Sequence, residues 1–211
     1  MGLISTYDVR LWLSIPEGDK KPNAKIEAII NSVEDFVESY TNRKLLANTY
    51  YQQFDYSYID GYGRPEIYLP CYPVSYVSDI RIDNDHVFGS GTVLGSQDYY
   101  WYSSGKVVSK GSYFTRGRKN IRIDYIAGYA PVVNGTHNSA VSTYPAPYDL
   151  TQVMKEMCIE SFKEGLTAIH TIQPTETTSG KVIQMFTNNS FWRNTLNKYK
   201  AFDMSMQGYD E

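Results

Sequence analysis

Residues 23–45, NAKIEAIINSVEDFVESYTNRKL, constrain the fold more than any other stretch of the chain. Ile26, Ile29, Ile30, Val33, Phe36, Val37 and Tyr40 recur at helical spacing. Lys25, Glu27, Glu34, Asp35 and Glu38 fall mostly outside that stripe. The pattern predicts a helix over about 23–41, and so strongly amphipathic a helix must cover a core. A second stripe follows much later, in PYDLTQVMKEMCIESFKEGL, where Leu150, Val153, Met154, Met157, Cys158 and Phe162 share a face. Asp149 is its expected cap, and Gly165 weakens its end. Ile30, Val33 and Phe36 are expected to meet Val153, Met157 and Phe162 in one core. A shorter helix is read in STYDVRLWLS, with Ser5 and Asp8 in capping positions and Val9, Trp12 and Leu13 as its stripe.

Between the two long helices the period changes. NTYYQQFDYSYI and PEIYLP are rich in aromatic and β-branched residues, and VSYVSDIRIDND alternates before an Asx-rich turn. QDYYWYSSGKVV reads as a hairpin through Ser103, Ser104 and Gly105. In RKNIRIDYIAGYAPV, Ile121, Ile123 and Tyr125 share one strand face, and Arg122, Asp124 and Ile126 the other. That strand stops on Ala127 and Gly128, small residues that leave room where backbone passes close by. Residues 131–146 read as a long polar loop. After the third helix, QPTETTSGK is a linker, VIQMFTN a short strand, and SFWRNTLNKYKAF a terminal helix with Phe191, Leu196 and Tyr199 on one side.

The expected fold is therefore α+β: a small helical bundle, made of the N-terminal helices and a helix near 149–170. It carries a large inserted antiparallel β-module and an extended C-terminal arm. The expected divisions are residues 1–44 for the N-terminal helical part, 45–130 for the β-module, 131–172 for the loop and the helix that completes the body, and 173–211 for the arm.

Little in this pattern points to catalysis. His86, His137 and His170 show no metal-ligand spacing with one another or with Cys71 and Cys158, which read as buried free thiols. The DNDH string around His86 lacks the glycine and distal glutamate of a calcium loop, so an Asx-stabilised turn is expected. GSGTVLG lacks the lysine of a nucleotide-triphosphate loop and precedes a strand. No cofactor, no metal and no enzymatic activity are expected. No segment has the apolar length of a membrane span, and the N-terminus has no signal-like core, so synthesis in the cytoplasm is expected and no membrane partner.

Contact surface is better represented. The chain has 20 tyrosines, and tyrosine serves both half-buried strands and interfaces. Its net charge of −3 does not favour a DNA-gripping surface, yet residues 105–122 hold six basic residues and no acid. Either these solvate a hairpin edge, or Arg116, Arg118 and Lys119 form a loop facing an acidic partner or a DNA backbone.

Taken in order, IEAIINSVEDFVESYTNRKL, LPCYPVSYVSDIRID, YYWYSSGKVV, NIRIDYIAGYAPV and PYDLTQVMKEMCIESFKE resemble the head–tail connector, or adaptor and head-completion, proteins of tailed bacteriophages. The resemblance covers about residues 22–170; the large β-module and the long loop at 131–146 depart from simpler members. It implies a virion structural protein at the head–tail interface. Such a protein forms a ring of twelve copies under the portal, extends the DNA channel and offers a platform to the tail or stopper. It implies contact with the portal protein, with a tail or stopper protein, and transiently with passing DNA. It also implies a C-terminal arm that reaches the portal, with Phe186, Phe191, Trp192 and Tyr199 as candidate anchors. The rival expectation is a carbohydrate- or ligand-binding β-module of a phage tail or cell surface, supported by the eight tyrosines between Tyr50 and Tyr76.

Overall fold

The computed structural model describes residues 2–50, 55–133, 135–139, 142–165, 186 and 188–201. They fall into two compact units. A helical unit comprises Met1–Arg43, Ala130–Asn138 and Pro145–Glu211; a β unit comprises Lys44–Tyr129 and Ser139–Tyr144. The fold is α+β, as the change of period along the chain requires.

In the helical unit, α1 (Thr6–Trp12) opens with a capping box. Asp8 N–H donates to Ser5 Oγ, and Ser5 N–H donates to the Asp8 carboxylate at 3.1 Å. Val9 is buried, but Trp12 is 48 % exposed, so the apolar stripe expected on α1 is only partly used. The following turn is held by buried Arg10, whose guanidinium donates to the Asp19 and Glu17 carbonyls. The long helix α2 spans Asn23–Thr41 and ends on Asn42 in the left-handed conformation. Its apolar stripe is buried from Ile26 to Val37.

The partner of α2 is α3 (Tyr148–Lys163), which buries Leu150, Val153, Met154, Met157 and Cys158. Ile30, Val33, Phe36, Val153 and Met157 are all buried, while Phe162 lies at the margin under the Lys25 ammonium. Burying a side chain such as Val33 is worth about 1.5–3 kcal/mol, and this pairing supplies many such terms. Asp149 is not the cap of α3. Pro147 occupies that position without a side-chain bond, and Asp149 lies in the first turn. Gly165 takes a positive φ of 74° just past the helix end, the geometry glycine serves best there.

A short helix α4 (Ser190–Asn197) is capped by the Asn189 side chain, which accepts from Trp192 N–H. In the segment read as a strand, VIQMFTN, the described residues Phe186 and Asn188 are helical. The linker at 173–181 and His170 lie outside the described residues.

In the β unit, β7 (Gly117–Ala127) is the hub. On one edge it pairs antiparallel with β1 (Asn48–Tyr50) and β2 (Tyr58–Gly61), on the other with β4 (Val74–Ile82). A second sheet has the order β3 (Glu66–Tyr68), β6 (Lys106–Ser109), β5 (Tyr99–Trp101). Ile121, Ile123 and Tyr125 all face the core, as their alternation requires. On β4 the alternation slips. A bulge between Val77 and Asp79 puts Val77 and Ile80 on the same buried side although they are three apart. The β5–β6 hairpin turns through Gly105, at φ 85°. At the end of β7, Gly128 adopts φ 116° and lies so close to Ala47 that a Cβ would meet its Cα at 2.6 Å. Both cysteines are buried and free.

The segment read as one long loop is not uniform. In the helical unit, Val132–Val133 (β8) and Thr136–His137 (β9) form a small hairpin, and Val132 also bridges Gly2. In the β unit, Ser142 Oγ donates to the Gly128 carbonyl at 2.9 Å. No described helix is long and apolar enough to cross a membrane.

Candidate functional site

The basic stretch at 105–122 separates into inward and outward residues. Arg122 is buried, lies 3.5 Å from Asp124 and 3.7 Å from Asp79, and covers the Phe88 ring. Lys106 pairs with Glu66, and the Lys110 ammonium sits 4.0 Å from the centre of the Tyr100 ring. Arg116, Arg118 and Lys119 are exposed.

Acids sit beside this loop. Lys119 N–H donates to the Asp60 carboxylate at 2.7 Å, and His86 Nε2 lies 2.8 Å from the Arg118 carbonyl. The turn carrying His86 is organised by Asp83, whose carboxylate accepts from the N–H groups of Asp85, Val87 and Phe88. Those donors, Asp85 and Phe88 foremost, hold the Asp83 carboxyl below the usual range. The DNDH turn is thus an Asx turn built from its own backbone. Among the described residues, no group of three His, Cys, Asp or Glu side chains is placed to hold a metal ion. Arg116, Arg118 and Lys119 thus lie beside the Asp60 carboxylate and the Asp83 turn.

The four aromatic residues of the C-terminal segment are not equivalent. Phe186 is buried, with its ring 5.1 Å from that of Phe36 and 4.8 Å from that of Tyr40, both edge-on. Trp192 is buried and donates its indole N–H to Glu156 on α3 at 2.7 Å. The Tyr199 hydroxyl donates to Asp149, and Lys198 lies 3.2 Å from the same carboxylate. Burial pushes the Asp149 carboxyl up, but the Tyr199 and Lys198 donors outweigh it, so it stays below the ordinary carboxylate range. Ala201 N–H bonds the Thr41 carbonyl, fixing the end of this segment to the end of α2. Phe191 alone of the four is exposed, at 51 %. Spacing within a sequence does not reveal that Glu156 and Asp149 serve as receptors for α4, because those partners lie 36 and 50 residues away.

Two further features carry no sequence signal of their own. Glu34, on the polar side of the α2 pattern, is turned toward the N-terminal segment and accepts from Leu3 N–H at 2.6 Å. Burial pushes its carboxyl up to about 7. On the β unit, Tyr76, Tyr100, Tyr102 and Tyr113 are each more than half exposed. Single exposed aromatics are ordinary, and these four belong to the same unit.

The helical unit thus carries its terminal helix docked on α3, and the β unit exposes several tyrosines. A model of the head completion protein family matches residues 2–142, and the chain belongs to that family. No curated protein matches it. Solved structures from gene transfer agent particles share the fold. One chain, from the virion of a native gene transfer agent particle, has a TM-score of 0.56 and 13% identity, with 95% of this chain and 90% of that one covered. Another, from the neck of an empty gene transfer agent particle with C6 symmetry, has a TM-score of 0.51 and 12% identity over the same shares.

Proposed function

We propose that the protein is a head-to-tail adaptor, a structural and non-catalytic part of the virion made in the host cytoplasm and mounted at the head–tail interface. Copies form a ring under the portal, a dodecamer in its complete form, which extends the DNA channel and presents a docking platform to the tail or stopper protein. The observation that carries this reading is the family match over residues 2–142. The likeness in fold to a chain from a gene transfer agent neck with C6 symmetry supports the ring. A ring needs two different faces on each subunit, since only a heterologous interface propagates around an axis.

Within this assembly the helical body is the rigid part and the β-module is an insertion into it. Arg116, Arg118 and Lys119 form the loop that faces a partner or the passing DNA. Their acidic neighbours Asp60, Asp83 and Asp85 keep that contact weak, so DNA slides rather than sticks. In the C-terminal segment, Phe191 is the ring available to the portal, while Phe186, Trp192 and Tyr199 hold the segment in place to present it. No cofactor takes part.

The test is size-exclusion chromatography with light scattering on the protein mixed with portal protein. A complex larger than the portal alone is expected. Elution of the two components apart, across concentrations and salt, overturns the adaptor reading.

A further inference from the structure

The chain holds eight arginines, and six of them have partners within the protein. Arg10 is tied to loop carbonyls, Arg81 and Arg122 reach Asp79, and Arg43, Arg64 and Arg193 also bond or pair. The side chains of Arg116 and Arg118 make no hydrogen bond or ion pair among the described residues, and both are exposed. They flank Gly117, so each stands next to a residue with no side chain. An arginine without an internal partner offers its planar fork of donors to an outside oxygen anion.

The backbone beneath them is fixed from several sides. The Asn120 side chain is buried. Its amide donates to the Thr115 carbonyl at 3.0 Å and to Asn84 at 2.8 Å, and its oxygen accepts from Gly61 N–H at 2.9 Å. Gly117 lies against that side chain, and a Cβ there would meet it at 2.7 Å. Past the arginines, Lys119 takes a φ of 47° and donates its N–H to Asp60. The exposed His86 ring reaches from the neighbouring turn to the Arg118 carbonyl at 2.8 Å. A carbonyl only accepts, so His86 Nε2 carries the proton. Residues 115–120 are thus a shaped loop, and little ordering remains when its arginines bind.

We propose that Arg116 and Arg118 are paired contacts for the phosphodiester backbone of duplex DNA, and that His86 is a positioning residue that holds them in place. The proposal rests on the ring reading, in which DNA passes through the channel, and deepens it by naming DNA rather than a protein as the ligand of this loop. Residues 117 and 118 open β7. Residues two apart along a strand lie about 6.6 Å apart, comparable with the step between neighbouring phosphates of one DNA strand. Repeating phosphates offer the pair the same footing at every step, which a folded acidic surface does not. The carboxylates of Asp60 and Asp83 beside the loop are occupied by backbone N–H groups. Each copy engages two phosphates, so its contact is weak and the DNA is free to advance.

The test uses the full chain and a short fluorescent DNA duplex, read by anisotropy over a series of salt concentrations. The logarithm of affinity should fall linearly with the logarithm of salt. In Arg116→Gln/Arg118→Gln the slope should be shallower by about 1.8, the value for two phosphate contacts. Lys20→Gln/Lys21→Gln removes the same charge from exposed residues of the helical unit and should leave the slope unchanged. His86→Ala should weaken binding at every salt concentration without changing the slope. His86→Gln, whose side-chain amide can also donate to the Arg118 carbonyl, should restore it. Circular dichroism checks that each variant folds. Four results overturn the proposal: no binding of the duplex even at low salt, an unchanged slope in the arginine variant, an equal change in the lysine variant, or tighter binding of polyglutamate than of the duplex. Full affinity in His86→Ala overturns the positioning role. The portal plays no part here, so failure of this test leaves the adaptor reading to its own portal test, and failure of portal binding leaves these slopes unaltered.

Discussion

The Trp192 indole donates to the Glu156 carboxylate at 2.7 Å, and the ring itself is buried. This one contact joins α4 to the flank of α3 through both a charge-assisted hydrogen bond and a large apolar surface. Trp192→Ala should therefore cost about 3–5 kcal/mol, the range for removing a buried aromatic side chain. Phe191→Ala, one residue away and exposed, should stay within about 0.5 kcal/mol. Urea denaturation of both variants checks the contrast. Equal stability of the two would mean that α4 does not dock as described.

Gly128 is the second sensitive point. Its φ of 116° and the approach of Ala47 leave no place for a side chain, and its N–H bonds the Pro73 carbonyl. Gly128→Ala is expected to destabilise by more than about 1 kcal/mol, since the native backbone conformation is incompatible with alanine. The loss should appear as a lowered denaturation midpoint with an unchanged slope. A neutral substitution would show that the end of β7 relaxes freely.

The acid–base behaviour of Glu34 gives a pH dependence. Its ordinary value is 4.5, and burial pushes it to about 7. The Leu3 and Ile4 N–H groups and the N-terminal amine work against that rise, while Glu38 adds to it. The folded value lies above the unfolded one, so the stabilising contribution is full below about pH 4.5 and is lost as pH climbs through about 7. The melting temperature should decline from about pH 5 to about pH 8, and Glu34→Gln should flatten that decline. A slope that survives in Glu34→Gln would assign the effect to another group.

Metal removal should do nothing. The Asp83 carboxylate is already occupied by three backbone N–H groups, so the turn at residues 83–88 does not call for a cation. Melting curves with and without a chelator should superimpose. A lowered midpoint with chelator would reopen the DNDH turn as a cation site.

These four cases also show where sequence is informative. The bounds of α2 and the two faces of β7 follow from period alone, because both elements are long enough for the repeat to declare itself. Gly128 was legible for a related reason: a small residue ending a strand signals close backbone. The bulge in β4 was not, since one extra residue breaks the alternation that identifies a strand. The β8–β9 hairpin was not either, because two-residue strands have no period to read. The docking of α4 depends on Trp192 with Glu156 and Tyr199 with Asp149, pairs brought together only by the packed helices. Tyrosine shows the limit most plainly. Tyr50 and Tyr125 stack in the core at 5.0 Å while Tyr76 and Tyr100 face outward, and composition does not separate those uses.

The proposed bridging of head and tail by this head completion protein is open to a direct test by co-sedimentation. Purified protein is incubated with DNA-filled capsids that lack tails, then centrifuged, and the pellet is assayed for bound protein and for tail attachment. The expected result is saturable binding at the portal vertex in ring-sized multiples, with restored capacity to accept tails. Failure of the folded protein to pellet with such capsids, or binding spread over the whole capsid surface, would contradict it.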